Sequence, residues 1–305
     1  MELHEQEYVL ALIKHRSFKK AAEELYISQP TLSIFLNRLE ERLGIRLFER
    51  LGKRLVPTYA GEVYGRRARE MLLIRNQFES EFGELTAGHT GRIRLGIHSR
   101  RSSYLLPWVL CRFAQLYPDI DVAVEENGSQ ELEQLLQEGS LDLIISNRYF
   151  HKEKLDIFPL YQDFIVVCLP EGHPAETLSI PIEGHKYPWL DLKHLEGERF
   201  ILQKPSQSLR SYTDMALTYC KVSPTRTFII ENLETAAQMA AEGYGISFNY
   251  QSYICHFQYE KPISCFETGY SDLYIPIYAA VRKDSFMPTY THDMIRLLTE
   301  AFQAG

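Results

Sequence analysis

The sequence predicts an α/β protein in three parts: a small helical head, one long helix, and a two-lobed α/β body. Three observations carry this expectation. Up to about Leu43 the apolar residues recur at helical spacing, interrupted by short corners. From Tyr59 to Thr86 runs a proline-free stretch of 28 residues. From Arg92 the apolar period drops to two, and strand-like and helix-like segments alternate to the end of the chain.

In the head, a first helix spans about Glu5 to His15 and turns Tyr8, Val9, Leu12 and Ile13 inward. Ser17 and Ser28 stand where N-caps belong. After Ser17, Phe18, Ala21, Ala22 and Leu25 mark the buried stripe of a second helix, and Tyr26-Ile27 make a corner. Pro30 is tolerated in the first turn of a third helix, where its missing N–H has no partner to lose. Leu32, Phe35, Leu36 and Leu39 are the buried stripe of that helix, which ends near Gly44. Two helices joined by a three-residue corner form a helix-turn-helix, whose second helix enters the major groove of DNA. A pair of packed helices in some other domain is the alternative for this stretch alone.

From Leu43 to Gly61 the chain suggests a two-stranded hairpin. Gly52 supplies the turn, with Arg50, Lys53 and Arg54 around it. A basic hairpin directly after a helix-turn-helix suits a phosphate or minor-groove contact. Charge supports this partition: residues 1–58 hold ten Lys/Arg against eight Glu, a net of +2, leaving −9 for the rest of a chain whose total is −7. Only the N-terminal part can approach phosphate without repulsion.

The remaining bulk properties fit a protein of about two domains. Hydrophobic residues make up 45% and charged residues 24%, and no apolar run nears the ~20 residues of a membrane span. MELHEQEYVL lacks the layout of a secretory signal, so a cytoplasmic chain is expected. Cys111, Cys168, Cys220, Cys255 and Cys265 include no CxxC pair and are expected to be buried small hydrophobes rather than disulfides or metal ligands.

The order SFxxAAxxLxISQPTLSxxxxxLE, then LGxxLFERxxKRxxxT, then AG, between Ser17 and Gly61, resembles the winged helix-turn-helix of LysR-type transcriptional regulators. The resemblance implies DNA contacts at Gln29, Pro30, Thr31, Ser33 and Arg38 of the recognition helix and at Arg50, Lys53 and Arg54 of the wing. Ile34 and Phe35 depart from it, standing where family members more often have a basic and a polar residue. Ile34 cannot contact phosphate; packing on a thymine methyl and facing inward both stay open.

Thr58 is a plausible N-cap for the long helix. Positions 64, 68, 71, 75, 78, 82 and 85 repeat at steps of four and three and are apolar except Arg75, which reads as a coiled-coil seam about 40 Å long. The family's linker helix plays that part. Two copies would hold two heads apart on paired operator half-sites.

Residues 87–90 form a hinge. The body follows: strand RIRLGI, a loop from His98 to Ser103, a helix from Leu105 to Leu116, strand IDVAVEE, a helix from Glu131 to Glu138 capped by Ser129, and strand LDLIIS. A second unit opens at Phe164 with FIVVCLP and continues through RFILQ, a helix from Ser208 to Lys221, TFIIE and a helix from Leu233 to Glu242. Strand YIPIYAAV and a helix from Tyr290 to Gln303 close the chain. The alternation predicts a parallel, doubly wound sheet in two lobes. LLPxxLxxFxxxYPxI, GSLDLII and EGYGIS resemble the family's effector-binding domain, itself similar to periplasmic solute-binding proteins. The expected boundaries are 1–58 for the head, 59–87 for the linker and 88–305 for the receptor, with lobe I at about 91–163 and 268–305 and lobe II at about 164–267.

In open parallel sheets, ligands sit beyond the carboxyl ends of strands. The loops there hold Ser99, Arg100, Arg101, Ser102, Ser129, Ser146 and Gln203, a set of hydroxyls, an amide and cations suited to a polar or anionic small effector. Ser102, Ser103 and Ser129 have a second reading as helix N-caps. The resemblance implies a homodimer or homotetramer that binds double-stranded operator DNA and leaves RNA polymerase as a further partner, with no cofactor and no metal. An enzyme on the same core is disfavoured, since GxSxG, P-loop, GxGxxG and HExxH motifs are missing. Peroxide-sensing relatives resemble the chain around Ser208-Leu209-Arg210 but carry a reactive cysteine where Ser208 stands, which disfavours a thiol sensor.

Overall fold

A computed structural model describes residues 3–51, 54–85, 91–147, 153–270, 273–283 and 285–303, with backbone alone at 50, 80, 81 and 83–85. The head holds α1 (His4–His15), α2 (Phe18–Glu24) and α3 (Gln29–Leu43). The Ser28 hydroxyl accepts from the Thr31 N–H at 3.2 Å, the expected N-cap. Ser17 occupies the N-cap position of α2 in extended backbone, but its side chain makes no capping bond. Tyr26 turns the corner at φ 53° and is 96% exposed. Val9, Leu12, Ala21, Leu32, Leu36 and Leu39 form the core with Leu47 and Leu55 of the hairpin.

The hairpin pairs β1 (Phe48–Leu51) with β2 (Arg54–Pro57), antiparallel, with Phe48 opposite Pro57. Glu40 of α3 accepts from the N–H groups of Leu47 and Phe48 at 2.7 and 3.0 Å, so one carboxylate fixes the hairpin to α3.

The long helix α4 (Tyr59–Leu85) starts where Thr58 accepts from the Gly61 N–H at 3.1 Å. The expected seam is split between two tasks. Tyr64 packs with the core of the head, and Ala68 is buried. A Cβ at Gly65 would meet the Ile13 side chain at 2.5 Å, so α1 lies close against α4. Arg75 is turned back onto α1. Met71, Ile74, Phe78 and Phe82 are exposed along a separate stripe. Period alone does not separate the residues that serve the head from the stripe left exposed.

The body contains β3 (Gly91–Ile97), β4 (Ile120–Glu126), β5 (Leu143–Ser146), β6 (Leu155–Pro170), β7 (Arg199–Leu202), β8 (Arg226–Ile229), β9 (Ile246–Tyr250), β10 (Ile263–Glu267) and β11 (Tyr274–Arg282). Strand order is β4-β3-β5-β11-β6-β9-β7-β8, with β10 on β6. The sheet is mixed, which corrects the parallel expectation. β3 runs parallel to β4 and β5, and β7 runs parallel to β8 and β9. The strands that pass between lobes, β6 and β11, pair antiparallel with each other and with their neighbours. FIVVCLP is the second half of one 16-residue strand, β6, and does not open a separate strand.

Around the sheet lie α5 (Ser99–Leu116), α6 (Ser129–Gln137), α7 (Ser208–Cys220), α8 (Leu233–Ala241), α9 (Gln251–His256) and α10 (Thr289–Gln303). Two corrections matter for the site. α5 begins at Ser99, so the expected loop through Ser103 is its first turn, capped by His98. Ser129 is the first residue of α6, and Gly128 holds the N-cap position. Each lobe has its own core, one around Ile93, Leu95 and Leu298, the other around Val167, Phe200 and Phe248. Among the described residues, no helix is long and apolar enough to cross a membrane.

Candidate functional site

The head presents one free face of α3. Gln29, Pro30, Thr31, Ile34 and Arg38 are exposed on it, and Ser33 is half-buried. Ile34 is 53% exposed, which removes the inward-facing option. Phe35 is half-buried and stacks edge-on against Tyr8 at 5.0 Å. Arg54 is exposed on the wing, while Lys53 and the Arg50 side chain lie outside the described residues.

The receptor's candidate cleft forms where β3, β4, β5 and β7 end, the crevice at which open α/β sheets bind ligands. His98 Nδ1 accepts from the Arg100 N–H at 3.3 Å and starts α5. This turn sends Arg100 and Arg101 toward lobe II. The Arg100 guanidinium lies 3.2 Å from the Glu234 carboxylate of α8 and 4.4 Å from the centre of the Phe257 ring. Arg101 is only 2% exposed, beside the ring of Tyr253 at 5.9 Å. Its Nε has no hydrogen-bond partner, and among the described residues no carboxylate is within ion-pair reach of it.

Asp163, on the crossing strand β6, is the carboxylate whose field reaches Arg101. It is occupied elsewhere, accepting from Ser252 Oγ at 2.5 Å, from the Ser252 N–H at 3.1 Å and from the Phe164 N–H at 2.9 Å. Burial pushes its pKa up; those hydrogen bonds and Arg101 pull against the rise. The His98 pKa is lowered, by burial first and then by the two neighbouring arginines, against the opposite pull of Glu126.

Gln203 is fully buried, and neither end of its side-chain amide has a partner. Ser146 is also fully buried, at the end of β5. Ser102 is buried, with Oγ 2.6 Å from the Ser99 carbonyl and against the Glu126 carboxylate, so its hydroxyl is committed within lobe I. Ser99 is exposed and Ser129 half-buried.

Sequence reasoning missed several groups that join the lobes here. Asn147 Nδ2 donates to Tyr250 Oη at 2.8 Å, and Tyr250 Oη lies 2.9 Å from Ser208 Oγ. Tyr104 stacks on His256 at 4.3 Å. Asn147 stands with Ser146 in a strand-end loop that the sequence already marks as a ligand position; Tyr250 and Phe257 carry no sequence signal.

Among the described residues, no group of three or more His, Cys, Asp or Glu is arranged to hold a metal ion. Cys168, Cys220 and Cys265 are buried, whereas Cys111 is exposed and Cys255 half-buried, so the expectation of burial holds for three of the five. Cys168 and Cys265 face each other across β6 and β10 at 3.7 Å, and this contact together with burial pushes the Cys168 thiol up.

A DNA-reading head and a small-molecule receptor on one chain, joined by a long helix, define a transcriptional regulator that carries its own sensor. Residues 3–62 match the family described as bacterial regulatory helix-turn-helix protein, lysR family, and residues 86–303 match the LysR substrate binding domain. The chain belongs to the LysR family of transcriptional regulators, and as such is a ligand-responsive DNA-binding protein rather than an enzyme. It is 30% identical over 247 residues to the uncharacterized HTH-type transcriptional regulator YybE of Bacillus subtilis, covering 81% of this chain and 82% of that one. It is 28% identical over 254 residues to the DNA-binding transcriptional dual regulator OxyR of Escherichia coli, covering 81% and 78%. The crystal structure of full-length CbnR complexed with its target DNA shares the fold, with a TM-score of 0.64 at 17% identity over 99% of this chain and 100% of that one.

Proposed function

We propose that this regulator reads paired operator half-sites with α3 and the wing, and that a small anionic effector binds between the lobes and changes how the DNA is held. In this reading residues 1–58 are the head, 59–87 the linker and 88–305 the receptor, with lobe I at 91–163 and 268–305 and lobe II at 164–267. The protein acts in the cytoplasm as a homodimer or a tetramer built from it, beside RNA polymerase. Gln29, Thr31 and Ser33 meet base edges with Pro30 against the groove wall, while Arg38, Arg50, Lys53 and Arg54 meet phosphate.

The observation that carries the effector reading is Arg101, a buried guanidinium with no carboxylate in ion-pair reach among the described residues. A buried cation is costly unless an anion or hydrogen bonds compensate it. Gln203, buried with both amide ends unpartnered, supports a ligand that offers both a donor and an acceptor. Arg100, Ser99, Ser102, Ser129 and Ser146 complete the surround, of which Arg100 is already partnered by Glu234 and Ser102 by Glu126.

Calorimetric titration of the full chain with a panel of small mono- and dicarboxylates and with inorganic phosphate tests the effector class. At least one anion is expected to bind, about tenfold or more weaker in Arg101→Gln. Silence across the panel, or equal affinity in the variant, sinks the anion reading. On the DNA side, Arg38→Ala lowers affinity for all sequences and flattens the salt dependence, whereas Gln29→Ala lowers discrimination. If both variants behave alike, α3 does not lie in the groove as proposed.

A further inference from the structure

Ile34 is the large apolar side chain exposed in the N-terminal half of α3, at 53%, while Leu32 and Leu36 on either side of it are buried. It shares the free face of the helix with Thr31 and Arg38. The helical rise puts it ~4.5 Å beyond Thr31 and ~6 Å before Arg38, so it stands between a residue suited to base edges and one suited to phosphate. A recognition helix presents its N-terminal residues to the major groove. A side chain there with no donor and no acceptor can recognise one feature of the groove floor, the 5-methyl of thymine.

Polar base edges opposite Ile34 would lose water and gain no hydrogen bond, so guanine and cytosine are selected against at that position. A thymine methyl instead buries apolar surface on both partners. Gln29, one turn and a half earlier and exposed, pairs in two places with adenine when it reads a base. Both contacts therefore favour A·T pairs, and the half-site inherits that bias.

We infer that Ile34 is a specificity-determining residue that reads a thymine methyl in each operator half-site. The inference rests on the proposed seating of α3 in the major groove. To test it, the full-length protein is used to enrich binding sites from a randomised duplex. The enriched duplex is then resynthesised with deoxyuridine in place of each thymine in turn, which deletes the methyl and nothing else.

One thymine per half-site is expected to weaken binding about fourfold when its methyl is removed. Ile34→Ala should weaken the parent duplex by a similar factor and lose the distinction between thymine and uracil at that position, while Ile34→Val should keep it. An enriched site with no methyl-dependent thymine overturns the inference. So does a methyl dependence that persists unchanged in Ile34→Ala. Enrichment of no sequence at all overturns the seating of α3 itself, so the two failures are told apart.

Discussion

Arg75, midway along α4, donates from Nη1 to Glu7 Oε1 of α1 at 2.8 Å, with the two side chains 19% and 32% exposed. Two residues earlier, Glu5 of the same α1 receives Arg42 of α3, whose Nη1 lies 2.9 Å from its Oε1. The first helix is thus tied both to the recognition helix and to the long helix, and the angle of the head is fixed to the linker. Arg75→Ala should cost about 1 kcal/mol of head stability, lower DNA affinity and leave the oligomeric state alone. Thermal melts and sedimentation check this together. Dissociation of the oligomer in Arg75→Ala would return Arg75 to the seam.

The stripe of Met71, Ile74, Phe78 and Phe82 stands clear of that tie, and the rings of Phe78 and Phe82 stack at 5.3 Å. Four large apolar side chains in a row on a surface helix mark a contact with another molecule, which for the proposed dimer is the partner's copy of α4. Removing one phenyl from such a contact forfeits about 2 kcal/mol per copy, so Phe78→Ser should weaken the dimer by at least about tenfold. Sedimentation equilibrium reads the shift. An unchanged dissociation constant would move the interface to the outer strands β4 and β8, where Val124, Phe228 and Ile229 are exposed.

The parts of this chain legible in its sequence are those settled by neighbours a few residues apart. The stripe of Leu32, Leu36 and Leu39, the Ser28 cap and the stop at Gly44 are local, and α3 was readable from them. The start of α5 was not, because Ser-Arg-Arg-Ser-Ser has the composition of a loop; the run is helical because His98 caps it and Arg101 is enclosed by Tyr250 and Tyr253, residues about half the chain away. α9 has six residues, too few to show a period. The continuity of β6 across both lobes follows from pairing with β11 on one half and β9 and β10 on the other. Strand pairing of that range leaves no mark in a periodicity. In the cleft, the loops of Arg101 and Gln203 are legible in the sequence, but the burial of a guanidinium whose Nε has no partner, and of an amide with none, is a tertiary fact.

Gly139 closes α6 at φ 77°, and a Cβ there would stand 2.2 Å from the Leu73 side chain of α4. Beside it Glu138 lies 3.7 Å from Arg69 of α4, and Arg282 donates to the Leu136 carbonyl at 3.0 Å. The turn after α6 is therefore where the linker rests on lobe I, while the other end of α6 opens on the candidate cleft. Gly139→Ala combines a left-handed backbone with a steric clash and should destabilise by about 2–3 kcal/mol. Adding Leu73→Ala should relieve the clash and leave a residue of about 1 kcal/mol from the backbone. Urea melts of the single and double variants measure both parts. Equal stability of Gly139→Ala and the parent would show that α4 does not rest on this turn.

His98 links the same cleft to pH. Its Nδ1 accepts the Arg100 N–H, which requires an unprotonated nitrogen, and burial together with Arg101 and Arg100 lowers its pKa in the folded chain. The unfolded chain takes up a proton near the ordinary histidine value of about 6.5, where folded His98 does not. Acid therefore favours the unfolded state. Stability is retained above that pH and falls as pH drops from it toward the lowered folded value, by at most about 1.4 kcal/mol per pH unit. His98→Asn keeps a capping acceptor and should remove this part of the slope, isolated as the difference between variant and parent because the nine other histidines are common to both. An anion seated beside Arg101 would offset the positive field on His98 and raise its folded pKa. The slope should then shrink when the effector is bound, and denaturation curves between pH 5 and 8, with and without the anion found by calorimetry, decide the matter. A slope that the anion leaves untouched places its charge away from Arg101.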